Sequence, residues 1–161
     1  MQQQSQTPPL VADPSDRVQF RIASFTDLDT RTLHDLLKLR VDVFVVEQDC
    51  AYPELDGRDV EPGTRHLWLA RGGVPIAYLR LLVDPDGVER IGRVVVARQA
   101  RSGGYAGRLM TEALAMVGSR SCVLDAQAHL LDFYARFGFT VSGPEYIEDG
   151  IPHVPMRREP A

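Results

Sequence analysis

The chain has 161 residues, of which 44% are hydrophobic and 25% charged, as is typical of one globular domain. Its net charge of −4 argues against broad nucleic-acid binding, and no apolar stretch approaches the length of a membrane span. Cys50 and Cys122 are isolated from each other and from histidines at metal-ligand spacing, so we expect a cytoplasmic protein without a metal.

The N-terminal segment, residues 1–16, is polar and contains prolines, and it lacks the basic region and apolar run of a signal peptide. We expect it to be a disordered tail in front of a single domain formed by residues 17–161. Alternation over residues 18–23 predicts a first strand. A helix capped by Asp27 or Thr30 should follow, because one face at helical spacing carries Leu33, Leu36, Leu37, Arg40, Val41 and Phe44.

Three strands are predicted after a long acidic loop that ends at Gly63, a loop of the kind that covers a site. Residues 66–71 and 74–83 form a hairpin at Gly72-Gly73, and a turn at residues 84–87 leads into a central strand over residues 88–97. A helix (104–118), a strand (121–127), a helix (129–137) and final strands (139–142 and 151–157) around a loop (144–150) complete the chain. This order predicts an α+β fold with a mixed, mostly antiparallel sheet flanked by helices.

A basic, glycine-rich turn stands between the central strand and the next helix. The backbone N–H groups at a helix start are unpaired and lie at the positive end of the helix dipole. Glycine leaves that backbone open to an anion, and the turn contains Gly103, Gly104 and Gly107 together with Arg98, Arg101 and Arg108. A phosphate or pyrophosphate is therefore the expected ligand, and the alternative is an ordinary strand–helix connection with solvated arginines.

The turn lacks the Gly-Lys-Ser/Thr of a P-loop, and Ser102 stands where a dinucleotide fingerprint needs its first glycine. Residues 101–106 do fit the pattern Gln/Arg-x-x-Gly-x-Gly/Ala, which resembles the pyrophosphate turn of the GCN5-related N-acetyltransferases (GNAT superfamily). That resemblance implies acetyl-CoA as co-substrate, with backbone N–H groups of the central strand polarising its thioester carbonyl. The implied donor-binding residues are Val94, Val95, Val96, Arg101, Ser102, Gly103, Gly104, Tyr105, Ala106, Gly107 and Arg108.

A second motif, Tyr134-Ala-Arg-Phe-Gly138-Phe139, is similar to the Y-x-x-x-G-F of many GNAT proteins. There the tyrosine hydroxyl donates a proton to the departing CoA thiolate, which implies this role for Tyr134. The alternative is that Tyr134 packs its ring in an amphipathic helix. The central strand lacks the glutamate that often serves as base in the superfamily, so a base must come from elsewhere or the amine must arrive neutral.

Six segments more closely resemble the ElaA branch of the GNAT superfamily. They are residues 39–48, 56–57, 65–66, 91–94, 126–129 and 148–153, and the likeness extends from about residue 20 to residue 159. This branch implies an acetyltransferase of the GNAT fold, and its name does not identify the acceptor.

The polar residues of these segments are candidates for the acceptor side of the site. We expect Glu47 or His153 to be the base or relay, because histidine titrates near neutrality and suits an ammonium acceptor. Arg93 would orient a carboxylate or hold Glu47, and as a buried arginine it needs an anionic partner: Glu47, Asp125 or a substrate carboxylate. Further substrate contacts are expected from Gln127 and His129.

The sequence thus predicts an acetyl-CoA-dependent transferase that passes acetyl directly to a primary amine of a small molecule or peptide, in a ternary complex. Nucleic-acid and membrane partners are not expected, and a homodimer is left open. One alternative is a CoA-binding sensor or scaffold of the same fold without catalysis, which the missing strand glutamate favours. Another is an acyl-chain transferase of the homoserine-lactone-synthase kind, which needs a wide apolar tunnel.

Overall fold

The computed structural model describes residues 16–160, so the tail expected over residues 1–16 lies outside them except for Asp16. Within this range the strands are β1 (Val18–Ser24), β2 (Arg65–Arg71), β3 (Val74–Val83), β4 (Glu89–Val96), β5 (Cys122–Gln127), β6 (Thr140–Val141), β7 (Tyr146–Glu148) and β8 (Ile151–Arg158). They form one sheet in the order β1-β2-β3-β4-β5-β8-β6, with β7 also paired to β8. Only the β4–β5 pair is parallel, which confirms the predicted mixed, mostly antiparallel sheet.

The first four strands form an antiparallel meander, as the turn signals predict. Gly72 and Gly73 have φ of +56° and +77°, the left-handed pair that a two-residue hairpin turn requires. In the next turn the Gly87 N–H donates to the Asp84 carbonyl at 2.8 Å, and the Asp84 N–H donates to the Val88 carbonyl at 2.9 Å. Both predicted turns are therefore present.

The first helix, α1 (Thr30–Arg40), begins at Asp29, whose carboxylate accepts a hydrogen bond from a backbone N–H of the first turn at 2.7 Å. Asp29 is thus the N-cap, and the expectation of Asp27 or Thr30 is wrong. The helix then continues without a break as a π-helical segment, Val41–Glu47. Segments of this kind are rare and often occur at functional sites.

Two further helices follow the meander, α2 (Tyr105–Val117) and α3 (Leu131–Ala135). The helix predicted over residues 129–137 is shorter than expected, because a 3-10 turn, Ala128–Leu130, precedes it. The chain leaves α3 through Gly138, which has a φ of +89° and so adopts the left-handed conformation that commonly ends helices.

The strand β7 lies within residues 144–150, where the sequence predicts a loop. It pairs with β8 across a turn at Asp149 and Gly150, which have φ of +50° and +77°. An Asp-Gly pair is itself a hairpin signal, but three residues are too few for an alternating pattern to mark the strand.

The core surrounds β3, which is buried from residue 75 to residue 82 because α1 and α2 pack against it. From α2 the side chains of Leu109, Met110, Ala113 and Val117 are buried. β4 and β5 pair only at Glu89–Cys122 and Arg90–Val123, and beyond these positions the two strands separate. This separation opens the sheet at its centre.

Candidate acyl-transfer site

A cleft of about 780 Å³ opens where β4 and β5 separate. Its walls come from both of these strands, from β8, from α3, from the π-helical segment and from the loop that follows it. Eleven predicted site residues line it: Glu47, Arg93, Val94, Val95, Val96, Arg101, Ala106, Gln127, His129, Tyr134 and His153. The cleft therefore contains residues from both the donor half and the acceptor half that the sequence predicts.

One backbone edge of β4 faces this cleft. The Ala97 N–H donates to the Ile76 carbonyl at 2.8 Å, so the alternation of an antiparallel ladder turns the polar groups of Val96 away from β3. The same alternation turns the polar groups of Val95, opposite Tyr78, toward β3. Of the three valines expected to polarise a thioester carbonyl, Val96 has its N–H group turned away from β3, and Val94 lies where the register between β3 and β4 shifts.

The glycine-rich turn leads from β4 into α2 and borders a hollow of about 140 Å³ formed by residues 100–107 and their neighbours. Ser102 and Gly104 have φ of +72° and +74°, and a Cβ on Gly104 would meet no atom within 4 Å. At Gly103, by contrast, a Cβ would lie 2.6 Å from the Tyr105 ring. The turn thus keeps open space beside the unpaired N–H groups of the α2 start, which fits a pyrophosphate.

Two arginines of this turn differ in their surroundings. Arg101 donates from Nη2 to Glu47 Oε2 at 2.7 Å and from Nε to the Val96 carbonyl at 3.3 Å. Arg108 is exposed on α2 and borders neither the cleft nor the hollow. The structure therefore brings Arg101, and not Arg108, to the junction of the two halves.

Tyr134 extends from α3 into the cleft and is 6% exposed. Its ring contacts Phe133 and Phe139 edge-on, at centroid distances of 5.0 Å and 6.5 Å, so packing fixes its orientation. Burial raises the pKa of the Tyr134 hydroxyl to about 12, which keeps its proton in place at neutral pH. Tyr134 thus lines the cleft while its ring is packed, so the packing alternative and the catalytic one are compatible.

His153 lies on β8 and not in a loop, directly opposite Gln127 on β5 and Tyr146 on β7. Its Nδ1 lies 2.7 Å from the Ile151 carbonyl oxygen, which can only accept, so Nδ1 carries the proton of the neutral ring. The ring also stacks on Tyr146 at a centroid distance of 5.7 Å. These contacts leave Nε2 of the neutral ring as the nitrogen with a free lone pair.

Gln127 and His129 line the cleft beyond His153. The Gln127 amide exchanges two hydrogen bonds with the Gln48 amide, at 3.3 Å and 3.4 Å, across 79 residues of sequence. This pair ties the end of the π-helical segment to β5. Gln48 lies beside Glu47 in one of the six ElaA-like segments, and that segment is the signal in the sequence that points to it.

Arg93 marks an interruption of β4. Its φ is +52°, and the register between β3 and β4 shifts beside it, as in a β-bulge. The guanidinium donates from Nε to Glu54 Oε1 at 3.1 Å, lies 3.5 Å from Asp56 Oδ2 and covers the ring of Tyr52. All of these partners belong to the loop after the π-helical segment.

The carboxylates expected to pair with Arg93 pair elsewhere. Glu47 is bound to Arg101 at 2.7 Å, and Asp125 is bound to Arg90 at 2.6 Å. The prediction of Glu47 or Asp125 as the partner of Arg93 is therefore wrong, because the loop after the π-helical segment folds over β4 and brings its own carboxylates to the bulge.

Arg93 belongs to an ionic network that holds this loop in place. The network joins three guanidinium groups to three carboxylates: Arg40, Arg80 and Arg93 with Glu54, Asp56 and Asp59. Arg40 is 1% exposed and reaches Glu54 at 2.7 Å and Asp59 at 2.8 Å. The charges balance, as burial of ions requires.

A histidine and a tyrosine complete the network. The Tyr78 hydroxyl donates to His66 Nδ1 at 2.6 Å, and His66 Nε2 donates to the Asp59 carbonyl at 3.0 Å. Burial lowers the pKa of His66, so the ring is neutral in this setting. Burial alone would raise the pKa of Asp59, but the hydrogen bonds and charges of Arg40 and Arg80 outweigh it and hold this pKa below its usual range.

The sequence offered one signal of this network. Arg40 lies on the otherwise apolar face of α1, and an arginine in such a position must find carboxylates. The acidic loop provides them, but sequence spacing does not identify which of its carboxylates pair with Arg40.

Two further observations bear on the earlier expectations. Among residues 16–160, no group of three histidine, cysteine, aspartate or glutamate side chains is arranged to hold a metal ion. No helix in the same range has the length and apolar character needed to cross a membrane.

Known proteins resemble this chain in sequence. The family model of the acetyltransferase (GNAT) domain matches residues 33–160. A UPF0039 protein of Mycobacterium tuberculosis (strain H37Rv) is 54% identical over 136 residues, which cover 82% of this chain and 87% of the relative. Protein ElaA of Escherichia coli K12 is 37% identical over 148 residues, which cover 88% of this chain and 97% of the relative.

Solved structures resemble it in fold. An acyl-CoA N-acyltransferase from Pseudomonas aeruginosa superposes with a TM-score of 0.83 at 43% identity, covering 88% of this chain and 99% of the other. Escherichia coli ElaA superposes with a TM-score of 0.84 at 36% identity, covering 89% of this chain and 100% of the other.

Proposed function

The chain belongs to the GNAT acetyltransferase family, in its ElaA-like branch, and we propose that it transfers acetyl from acetyl-CoA directly to a primary amine. Membership makes it an acyltransferase that uses an acyl-CoA. The observation that carries the finer proposal is that Tyr134 and His153 line the same cleft beside the free edge of β4. This arrangement supports Tyr134 as the acid and His153 as the base, with backbone donors of β4 beside them.

The donor half of the proposal rests on the glycine-rich turn and on β4. Unpaired N–H groups at the start of α2 would bind the pyrophosphate of acetyl-CoA, since the open space beside Gly104 leaves them accessible. The N–H groups of Val94 and Val96 would polarise the thioester carbonyl. Fixed backbone dipoles of this kind stabilise the negative charge that develops on the carbonyl oxygen during acyl transfer.

The acceptor half rests on His153. Its Nε2 would take a proton from the incoming ammonium, while the Ile151 carbonyl accepts a hydrogen bond from Nδ1–H and orients the ring. Glu47 is the second candidate for this role, as base or as relay, although its carboxylate is bound to Arg101. The neutral amine would attack the thioester carbon, and the C–S bond would break as Tyr134 donates its proton to sulfur. The surplus proton on the new amide nitrogen would then pass to the Tyr134 oxygen and restore the neutral phenol.

The test is release of free CoA thiol from acetyl-CoA in the presence of a panel of primary amines. We expect amine-dependent release and an acetamide product identified by mass spectrometry. Binding of acetyl-CoA without release of thiol with any amine would contradict the proposal and favour the sensor or scaffold alternative. Faster turnover of octanoyl-CoA than of acetyl-CoA would favour the acyl-chain alternative.

A further inference from the structure

We infer that the acceptor is a diamine: a primary amine that carries a second cationic group, and no carboxylate, at the far end of a short chain. The inference rests on the proposed function, because it takes His153 as the point where the reacting amine binds. It assigns the distal ammonium to Glu148 on β7.

The acceptor wall of the cleft is one face of the ribbon formed by β5, β8 and β7. Gln127 and Tyr146 lie directly opposite His153, so the three side chains share a face. Two residues along, Glu148 lies opposite Ile151 and Asp125 lies opposite Pro155, and alternation puts these carboxylates on the same face. Both carboxylates line the cleft, one on each side of His153.

The cations that line the cleft are already bound to carboxylates. Arg93 is held by Glu54 and Asp56, and Arg101 is held by Glu47 at 2.7 Å. An acceptor carboxylate would therefore have to displace a protein carboxylate from a guanidinium. The cleft offers little to an amino acid bound through its α-carboxylate.

The carboxylates of the acceptor wall, unlike Arg93 and Arg101, are not all engaged in ion pairs in the part of the chain that the structure describes. Asp125 is paired with Arg90, but Glu148 and its neighbour Asp149 make no ion pair with any residue in the range 16–160. Both Glu148 and Asp149 line the cleft. The distal ammonium of an acceptor, bound beside Glu148 and Asp149, would supply the cation that these carboxylates lack among the described residues.

The spacing along the ribbon sets the length of the acceptor. Diagonal cross-strand neighbours such as Glu148 and His153 have Cα atoms about 7–8 Å apart, a separation that a chain of roughly five methylene groups spans. A diamine of this length can place one nitrogen at His153 Nε2 while the other contacts the Glu148 carboxylate.

Three amines of equal chain length test the inference with the wild-type enzyme: 1,5-diaminopentane, pentylamine and 5-aminopentanoate. They differ only in the distal group, which is a cation, a methyl or an anion. We expect kcat/KM per amino group to fall in that order, with the diamine about threefold to fivefold above pentylamine, as an exposed ion pair provides. The preference should weaken at high ionic strength, since salt screens exposed charges.

The matched variant is Glu148→Gln, which removes the charge and keeps the shape. We expect it to lower the ratio of kcat/KM per amino group for diaminopentane to that for pentylamine to about one. The control is Glu112→Gln, the same change at a half-buried position on α2 that borders neither the cleft nor the hollow, and it should leave the ratio as in wild type.

Equal kcat/KM per amino group for diaminopentane and pentylamine, or a higher value for aminopentanoate, would overturn the inference while the proposed function stands. An unchanged ratio in Glu148→Gln would overturn the assignment of the distal ammonium to this carboxylate. Failure of all three amines to release thiol, while another primary amine of the panel does release it, would overturn this inference alone. Failure of every amine of the panel, with acetyl-CoA bound, would overturn the proposed function and this inference with it.

Discussion

Glu47 and Arg101 are joined by an ion pair of 2.7 Å that spans 54 residues of sequence. Glu47 ends the π-helical segment on the acceptor side, and Arg101 opens the turn that we propose binds pyrophosphate. Both side chains are partly exposed, at 28% and 42%, so the pair contributes only about 0.2–1 kcal/mol. A pyrophosphate at the turn would compete with Glu47 for the same guanidinium.

Glu47→Gln should therefore bind CoA about twofold to fivefold more tightly than wild type, because Arg101 loses its competing partner. Arg101→Gln should bind CoA more weakly. Isothermal calorimetry with CoA measures both effects. Weaker CoA binding by Glu47→Gln would show that the carboxylate supports the donor site and does not compete with it.

Gly104→Ala should weaken CoA binding about tenfold, because the added methyl would strain a residue at φ +74° and displace the N–H groups that face the anion. The control is Gly87→Ala. Gly87 also has a positive φ, of +85°, and open space around it, but it precedes β4 at the end remote from the turn. Both variants should lose similar stability in urea unfolding. Equal CoA affinities for the two variants would place the pyrophosphate elsewhere.

Tyr134→Phe should lower kcat about a hundredfold or more, because it removes the proton donor for the leaving thiolate. The affinity for acetyl-CoA should stay within about twofold, since the ring contacts with Phe133 and Phe139 remain. Steady-state kinetics and calorimetry separate the two quantities. A kcat within about twofold of wild type would leave Tyr134 only a packing role.

His153→Gln should lower kcat/KM at neutral pH by about a hundredfold or more, because the ammonium acceptor loses its base. The deficit should shrink as the pH rises toward the pKa of the amine, where the acceptor arrives neutral. His34→Gln, at an exposed position on α1, is the matched control. A deficit that stays constant up to pH 10 would argue that His153 positions the amine and does not deprotonate it.

The buried His66 should make the fold sensitive to mild acid. Burial lowers the pKa of His66 in the folded state, so below about pH 6.5 the unfolded chain binds the extra proton. The free energy of unfolding should then fall as the pH falls, by up to about 1.4 kcal/mol per pH unit. Asp59 also has a lowered pKa, but its contribution is lost only near and below pH 4.

Urea unfolding at pH 7.0 and pH 5.5 tests this effect, with His66→Gln as the comparison. The variant should be less stable at pH 7.0 but should lose less free energy between the two pH values. An equal loss in both proteins would trace the acid sensitivity to other groups.

Local signals in the sequence predicted most of the fold. Gly72-Gly73, the turn at residues 84–87 and the glycine-rich start of α2 each act over a few residues, so the sequence alone identifies them. The π-helical segment was not predicted, because it has no hydrophobic periodicity of its own. The strand β7 was not predicted, because it has only three residues.

The candidate site likewise contains features that short motifs predict and features that depend on how distant segments fold together. The positions of Tyr134 and of the glycine-rich turn follow from short motifs. Tyr134 lines the cleft, and the turn borders the hollow beside it. The partners of Arg93 come from a loop 37–39 residues earlier in the chain, and the choice among its carboxylates depends on how that loop folds over β4. The same holds for Arg40, which reaches carboxylates 14 and 19 residues away.

The two walls of the cleft differ in how freely they can change during evolution. Loss of a single member of the Arg40–Asp59 network would leave a buried charge unpaired and cost about 3–5 kcal/mol, so substitutions there must be accompanied by others. Glu148 and Ile147 are exposed on a three-residue strand at the end of the sheet, where substitutions usually cost within about 0.5 kcal/mol. Related enzymes could therefore exchange one acceptor for another through changes in β7, while the ionic network that holds the opposite loop stays as it is.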